Sequence, residues 1–323
     1  MAGRHPPPAP APAVVHDPPG GPREAVYRYE PRRRPPRRAV DVTAAGVLGG
    51  LAGLAVLVVL GLATFGGVGG ARVTASGLRA GDTVSSETAT ANRLYATGPL
   101  TPVRCRLPRI DPGAASMRRF MDELSDCLDG AWKGQFGKAR MAYAPPSRVF
   151  WDAPGRSPCG TYPSPGASAF YCPANNTMYV GLDHIIETSG GEPLSNFAVF
   201  ARVIAHEYGH HVQERAGILL YGQQRMERSR DVPARTETSR RIELQAQCFA
   251  GAFLGAERRT LPMTRRQYEA LMTDVRGRGD DRQPAEKRDH GSGDNYAGWV
   301  AKGYRDQRLA VCNTWTVSSD EVG

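Results

Sequence analysis

The segment Val203–Gln213, VIAHEYGHHVQ, constrains the fold more than any other part of this chain. It contains the pattern H-E-x-x-H, in which His206 and His210 stand four residues apart. On an α-helix this spacing places both imidazoles on one face, one turn apart, where they can share one Zn²⁺ ion. Glu207 lies beside them, where a carboxylate can reach a metal-bound water. The pattern therefore predicts a helix with a zinc site on one face.

The first part of the chain differs in composition from the rest. Residues 1–41 are rich in Pro and Arg and cannot bury a core, so we expect a disordered tail. The net charge of the 323-residue chain is +9, and the positive excess is densest in this tail. No basic patch is interleaved with aromatic residues, so we expect no binding of nucleic acid.

An uncharged apolar segment follows the tail. Residues 42–68 contain no charged side chain, and a span of roughly 20 apolar residues crosses a bilayer. The Arg cluster just before it predicts a cytoplasmic tail and an extracytoplasmic C-terminal part. A cleaved signal peptide is the alternative, but its apolar region would be shorter and would start earlier. We therefore expect a single-pass anchor in the cytoplasmic membrane, a linker over 69–112 and a folded domain over 113–323.

The spacing of apolar residues predicts a mostly helical domain with a few strands. A polar stretch over 219–235 is predicted to be a loop. The predicted helices span 115–141, 195–216, 239–258, 264–275 and 294–309, and the predicted strands span 148–151 and 177–182.

The chain contains six cysteines and no CxxC pair, which favours disulfides in an oxidising compartment. Six buried free thiols are the alternative. A Cys105–Cys127 bridge would fix the end of the linker to the first helix, and a Cys159–Cys172 bridge would close a loop rich in Pro, Ser and Gly. The remaining cysteines are Cys248 and Cys312.

A catalytic zinc usually has three protein ligands and one open position. The metzincin pattern would place its third ligand at position 216 and a glycine at 213, where this chain has Ala216 and Gln213. That class is excluded. His211 points about 100° away from His210 around the helix, so we expect a structural or rim role for it.

The third ligand is therefore expected to be a downstream carboxylate. Glu243 is the best candidate because it lies within an amphipathic helix, on the face opposite the expected solvent exposure of Arg240 and Arg241. Glu237 and Asp231 are the alternatives, and both fall in sequence that is expected to be less ordered.

Four segments are informative together: Phe170–Pro173, Val203–Gln213, Ile242–Gly251 and His290–Ser292. They resemble segments of the neutral zinc metallopeptidases, a family of bacterial exported or membrane-anchored proteins, and they occur in the family's order. The resemblance covers about residues 115–315. The resemblance implies an α+β, zincin-like domain, mostly helical with a small sheet, after a single transmembrane helix.

The resemblance also implies roles for individual residues. His206 and His210 would be zinc ligands, Glu243 the third ligand and Glu207 the catalytic base. The disulfides Cys159–Cys172 and Cys248–Cys312 are likewise implied by the resemblance.

The sequence departs from the family pattern at one position, Gln247, where the family commonly has Asp. One turn after Glu243, an Asp would accept a hydrogen bond from a ligating histidine and raise its basicity. The amide oxygen of Gln247 can accept a hydrogen bond but carries no charge. Because altered support of this kind typically costs about 10–100-fold in affinity or activity, we expect a weakened site.

These features predict a zinc-dependent endopeptidase acting on a peptide or protein substrate. We expect strand Met178–Leu182 to pair with an extended substrate, and His290 to donate a hydrogen bond to the developing oxyanion. Tyr208, Tyr296 and Tyr304 are alternative donors. The second hypothesis is a catalytically weak or inactive, zinc-stabilised scaffold or binding module in the membrane. The sequence does not indicate an oligomeric state.

Overall fold

The computed structural model of the chain describes residues 83–163 and 167–323. The expected cytoplasmic tail, 1–41, and the expected transmembrane segment, 42–68, lie outside the described residues. Within the described ranges, no helix combines the length and the apolar composition that a membrane crossing requires.

Helices dominate the described residues, and a small sheet accompanies them, as an α+β class requires. The helices are α1 (Glu87–Thr90), α2 (Ala114–Lys138), α3 (His184–Glu187), α4 (Phe197–Arg215), α5 (Ile218–Arg228), α6 (Val232–Ala256), α7 (Arg265–Arg276) and α8 (Gly293–Asp306). The strands are β1 (Ser147–Trp151), β2 (Gly155–Ser157), β3 (Gly160–Tyr162), β4 (Ala169–Cys172) and β5 (Thr177–Gly181).

The larger sheet has the strand order β1-β5-β4. Strand β5 pairs in parallel with β1, where Val149 lies opposite Tyr179, and antiparallel with β4, where Phe170 lies opposite Tyr179. All five residues of β5 are buried. The strand predicted over 177–182 therefore exists, but its expected pairing with substrate is wrong because both of its edges are already hydrogen-bonded. Strand β4 is the edge strand on that side of the sheet.

The motif helix α4 packs closely against α6. Most of its side chains are buried, from Ala198 to Gln213. Gly209, within the H-E-x-x-H pattern, makes the close approach possible. A Cβ at this position would lie 3.0 Å from both the Cα and the carbonyl oxygen of Ala246 on α6. The contact brings the face of α6 that carries Glu243 next to the two motif histidines.

The prediction of a loop over 219–235 is wrong, because this stretch forms most of α5 and the start of α6. Gly217 has a φ of 79°, a left-handed conformation that suits glycine, and it turns the chain sharply between α4 and α5. Ile218, Gly222 and Met226 are buried at helical spacing. The polar residues of this stretch cover the outer face of an amphipathic helix. The polar composition of this stretch therefore led to the wrong prediction of a loop.

Part of the segment assigned to the linker packs into the core. Leu94, Leu100 and Ile110 are buried with the helices of the domain. The backbone N–H of Leu100 donates to the carbonyl of Gln307, just beyond α8. The chain from residue 84 to residue 110 thus contributes to the same hydrophobic core as α2 and α4.

Three disulfides cross-link the domain, and they have the pairings given above: Cys105–Cys127, Cys159–Cys172 and Cys248–Cys312. Their Cα–Cα distances are 5.5, 5.7 and 5.4 Å, within the usual range for disulfides. The prediction of disulfides is confirmed, and the described residues contain no free thiol.

Candidate metal centre

Helix α4 brings the two motif histidines together on one face. The Nε2 atoms of His206 and His210 lie 3.3 Å apart, and both side chains are nearly inaccessible to solvent. Glu243, on α6, completes a triangle of donor atoms. Its Oε2 lies 3.3 Å from Nε2 of His206 and 3.5 Å from Nε2 of His210. The three residues that were predicted as ligands from distant parts of the sequence therefore converge.

The triangle has the dimensions of a zinc site. Ligand bonds of about 2.0–2.2 Å at tetrahedral angles place neighbouring ligand atoms about 3.3–3.5 Å apart. The three measured separations, 3.3, 3.3 and 3.5 Å, match this spacing. Two imidazole nitrogens and one carboxylate oxygen are also ligand types that zinc takes in catalytic sites. The donor set therefore fits Zn²⁺ in both geometry and chemistry.

Gln213 fixes the orientation of His210, a role that the sequence analysis missed. Its amide nitrogen donates to the carbonyl of Ile242 at 2.8 Å and to Oε1 of Gln245 at 3.0 Å. Its Oε1 therefore faces His210 and accepts from Nδ1 at 3.0 Å. This arrangement puts the proton on Nδ1 and leaves the lone pair of Nε2 for a metal. Its position three residues after His210, on the same helix, is the signal that could have revealed this role.

Gln247 does not provide the comparable support that was predicted for it. Its side chain is fully buried and makes no hydrogen bond to either motif histidine, and its amide lies within hydrogen-bonding reach of the Tyr296 hydroxyl instead. The Nδ1 atom of His206 is buried without a hydrogen-bond partner among the described residues. The two motif histidines thus differ, because only His210 is oriented by a neighbouring side chain.

Burial and the Glu243 carboxylate set the protonation states of the donor triangle. Burial lowers the pKa of His206 to about 4, so this imidazole is neutral at pH 7. Burial acts in the same direction on His210, but the adjacent carboxylate overrides it and raises the pKa to about 9. Burial favours the neutral form of Glu243, but the two histidines hold its pKa well below the usual range. A metal at this site would therefore compete with a proton on His210.

Glu207 faces the same cavity as the donor triangle. Its carboxylate accepts a hydrogen bond from the backbone N–H of Tyr171 in β4. Burial raises its pKa to about 7, although the neighbouring His210 cation opposes this shift. A carboxylate whose pKa lies near neutrality can both accept and release a proton at physiological pH.

Two carboxylates hold His290 at the edge of the cavity. Its Nδ1 donates to Oδ1 of Asp289 at 2.7 Å, and its backbone N–H donates to Oδ2 of Asp280 at 2.6 Å. Burial lowers the pKa of His290, but both carboxylates override it and raise the pKa well above its ordinary value. The rings of His290 and His206 both neighbour that of Tyr296, with centroids 6.3 and 6.4 Å from that tyrosine.

The alternative oxyanion donors lie in different places. Tyr296 lines the cavity. Tyr208 is a buried residue of α4, and its hydroxyl contacts Tyr143 and donates to Asp129 at 2.5 Å. Tyr304 packs against the ring of Tyr268 at 5.0 Å. Of the three tyrosines, only Tyr296 can reach a group bound in the cavity.

The other predicted residues have structural roles. Asp231 caps α6 by accepting the backbone N–H of Ala234. Glu237 pairs with Arg241 at 2.8 Å. The expected solvent exposure of Arg241 is wrong, because its guanidinium is buried and donates to the carbonyls of Thr314 and Val317. His211 has the structural role expected for it, since it is fully buried and its Nε2 lies 3.0 Å from the carbonyl of Ala144.

A single cavity of about 410 Å³ connects these groups. It is lined by the motif residues, Glu243, His290, Tyr296 and the edge strand β4. Arg202 and Arg278 also line it, and the sequence analysis identified neither. The cavity therefore combines a metal-binding face, a carboxylate of shifted pKa and several cationic donors.

Comparison with known proteins agrees with this arrangement. The profile of the family described as "Putative neutral zinc metallopeptidase" matches residues 33–315. "Uncharacterized protein YpfJ" of Escherichia coli K12 is 28% identical over 216 residues, which cover 64% of this chain and 74% of that protein. "Uncharacterized protein Rv2575" of Mycobacterium tuberculosis H37Rv is 26% identical over 254 residues, which cover 65% of this chain and 84% of that protein.

No solved structure matches the chain at a significant level. The family profile covers most of the sequence, and it includes every residue of the donor triangle. The chain therefore belongs to the neutral zinc metallopeptidase family.

Proposed function

We propose that this protein is a zinc-dependent endopeptidase with a zincin-like fold. The observation that carries the proposal is the convergence of His206, His210 and Glu243 on the cavity that also contains Glu207. Family membership supports zinc as the metal and peptide hydrolysis as the reaction. A metal-binding triangle beside a carboxylate of shifted pKa is the arrangement that metal-assisted hydrolysis needs.

The side chains divide the chemistry among them. His206, His210 and Glu243 would hold the zinc, which when bound polarises a peptide carbonyl and makes water more acidic. Glu207 takes a proton from the attacking water and passes it to the leaving amine. The hydrogen bond from the Tyr171 N–H fixes the position of this carboxylate.

His290 is proposed to stabilise the oxyanion that develops on the scissile carbonyl. Asp289 occupies Nδ1, so Nε2 is the ring nitrogen left to donate into the cavity. Because both carboxylates favour the imidazolium, Nε2 carries a proton near neutral pH. Tyr296, whose ring neighbours those of both His290 and His206, is the second candidate donor. A preorganised donor aimed at a developing charge is worth about 10²–10³ in rate.

Strand β4 is proposed to bind an extended peptide. It lies at the edge of the sheet and lines the cavity from Ala169 to Tyr171. A peptide strand that adds to such an edge forms main-chain hydrogen bonds with it, and alternate side chains of the peptide can then bind in pockets that determine specificity. This proposal moves the expected substrate contact from β5 to β4.

We also propose that the domain acts outside the cytoplasmic membrane, with 42–68 as a single-pass anchor. Three disulfides support this location, because disulfides persist mainly in oxidising compartments. Labelling of cysteine-free and single-cysteine variants at position 20 and at position 320 with a membrane-impermeant thiol reagent tests the topology. Protection at position 20 and labelling at position 320 in intact cells are expected, and the reverse pattern would overturn it.

Zinc content and peptide cleavage by the full-length protein test the enzyme proposal. We expect about one zinc per chain in the wild type, in Glu207→Gln and in the matched control Glu214→Gln, which alters a carboxylate on α4 outside the cavity. The wild type and the control should cleave a mixed peptide library, whereas Glu207→Gln should lose about 10²–10⁴-fold in rate. Absence of bound zinc, or full activity of Glu207→Gln, would refute the proposal.

The buried amide of Gln247, which makes no hydrogen bond to either motif histidine, favours a second candidate, a zinc-stabilised scaffold with weak or no catalysis. In that case the wild type and Glu207→Gln would both bind zinc, and neither would cleave the library. Substitution of His206 by Ala would lower the melting temperature without removing any activity. The same two measurements therefore separate the scaffold from the enzyme.

A further inference from the structure

A cluster of two arginines and one aspartate includes Arg202 and Arg278, which line the cavity. Nη2 of Arg202, on α4, donates to Oδ2 of Asp274 on α7 at 2.7 Å. Arg278 binds the same carboxylate twice, through Nε to Oδ2 at 2.9 Å and through Nη2 to Oδ1 at 2.8 Å. Two guanidinium groups therefore share one carboxylate.

The cluster carries an excess positive charge in a buried place. Two cations and one anion sum to a net charge of +1, and the side chain of Arg202 is only 3% exposed. Its Nε is buried without a hydrogen-bond partner among the described residues. Burial and the adjacent Arg278 cation both lower the pKa of Arg202, so the second guanidinium opposes the charge of the first. An anion that entered the cavity would relieve this repulsion.

Arg278 offers the accessible donor of the cluster. Its side chain is 25% exposed and lines the cavity. Its Nε and Nη2 are engaged by Asp274, and Nη2 also donates to the carbonyl of Thr188 at 3.1 Å. Nη1 makes no hydrogen bond to a described residue. A guanidinium with a free N–H group beside a second cation is a favourable partner for a carboxylate.

The distance between Arg202 and the motif histidines indicates how far from the cleaved bond a group bound at the cluster would lie. Arg202 precedes His206 by four residues on α4, which corresponds to about 6 Å along the helix axis. An extended peptide advances about 3.3 Å per residue. A group bound at the cluster would therefore belong to a residue about two positions from the scissile carbonyl.

We propose that Arg278, supported by Arg202, forms a carboxylate-binding subsite that selects peptides with an acidic group within about two residues of the cleaved bond. The carboxylate can come from an Asp or Glu side chain or from the C-terminus of the substrate. The inference rests on the proposed peptidase function, because it names the substrate class of the same cavity.

A purely structural role for the cluster makes a different prediction. Arg202 and Asp274 join α4 to α7, so loss of the cluster could simply weaken that packing. A structural variant would lose stability and would process every peptide less well. A subsite variant would lose the preference for acidic peptides while it retained cleavage of neutral ones.

Matched peptides and variants test the subsite in the full-length protein. Acetylated and amidated decapeptide libraries would carry Asp or Asn at one fixed position, and a third library would carry Asn with a free C-terminus. We expect the wild type to prefer Asp over Asn, within two residues of the cleaved bond, by about tenfold or more in kcat/KM. Arg278→Gln should abolish this ratio. Arg276→Gln, which alters an exposed arginine of α7 outside the cavity, should preserve it.

The free C-terminal library distinguishes the two sources of carboxylate, since preference for it alone identifies a chain terminus as the ligand. Affinity selection of the same libraries on Glu207→Gln, with mass spectrometric identification, provides a readout that needs no catalysis. Selective binding without cleavage by the wild type would refute the enzyme proposal and support the subsite. Two outcomes would overturn the subsite. One is equal cleavage and equal binding of the Asp library, the Asn library and the library with a free C-terminus. The other is a preference for acidic peptides that Arg278→Gln retains.

Discussion

Gly209 controls the distance between the helices that carry the proposed zinc ligands. In Gly209→Ala, the added Cβ would lie 3.0 Å from the Cα and the carbonyl oxygen of Ala246 and 3.1 Å from its Cβ. Ordinary carbon contacts lie at about 3.5–4.0 Å. Helices α4 and α6 must therefore separate by a few tenths of an ångström. Because two of the contacts are backbone atoms, no rotation of a side chain can remove the clash.

Two opposing effects decide the stability of Gly209→Ala. Replacement of a helical glycine by alanine stabilises a helix by about 1 kcal/mol. Overpacking of a close-packed core costs about 1–3 kcal/mol. We expect the packing cost to win, with a net loss of about 0–2 kcal/mol in the free energy of unfolding.

The same displacement should weaken zinc binding. Glu243 lies three residues before Ala246 on α6, so separation of the helices moves Oε2 away from the two imidazoles. Metal–ligand distances tolerate changes of about 0.2 Å, which is less than the expected movement. We expect the zinc affinity to fall by about 10–100-fold, the range seen when the support of metal ligands is altered.

Urea unfolding and competition with a zinc chelator measure the two effects. Gly134→Ala on α2 is the matched control, because this helical glycine is exposed and a Cβ there would meet nothing within 4 Å. The control should gain up to about 1 kcal/mol and keep its zinc affinity. Equal gains in stability for both variants, with unchanged zinc affinity in Gly209→Ala, would refute the reasoning.

Two further predictions concern the support of individual imidazoles. Gln213→Ala removes the hydrogen-bond acceptor of His210, a proposed zinc ligand, so chelator competition should show a zinc affinity about 10–100-fold lower than that of the wild type. An unchanged affinity would exclude this role of Gln213. Asp289→Asn removes one of the carboxylates that favour the cationic form of His290, so its pKa should fall. In NMR titrations the wild-type imidazole should stay protonated to a higher pH than the variant imidazole, and coincident titration curves would contradict the proposed ion pair.

Local sequence patterns predicted the elements that depend on short-range spacing. The helix over 195–216 is observed as Phe197–Arg215, and the strand over 177–182 as Thr177–Gly181. The polar helix α5 was missed because its apolar positions include Gly222, which composition does not count as hydrophobic. The sequence could not predict that β5 lies at the centre of its sheet, because a buried strand has the same residue pattern at the centre and at an edge.

In the candidate site, too, the sequence predicted features that depend on local spacing and missed features that depend on tertiary contacts. Glu243 was found because it lies at helical spacing within an amphipathic segment, although one supporting reason, the exposure of Arg241, was wrong. The hydrogen bond from Gln213 to His210 lies within one helix and was open to prediction. The salt bridge from Arg202 to Asp274 was not, because the two residues lie on separate helices, α4 and α7, and form no motif.

The sequence by itself determined the pair of histidines, the adjacent carboxylate and the cysteines, because a helix fixes side chains four residues apart wherever it lies. Only the tertiary structure decided how close α4 and α6 approach, and therefore whether Glu243 reaches the imidazoles. It also decided that β4 rather than β5 borders the cavity, and that two arginines meet one aspartate there. Those outcomes depend on contacts between residues far apart in the chain, which local spacing does not encode.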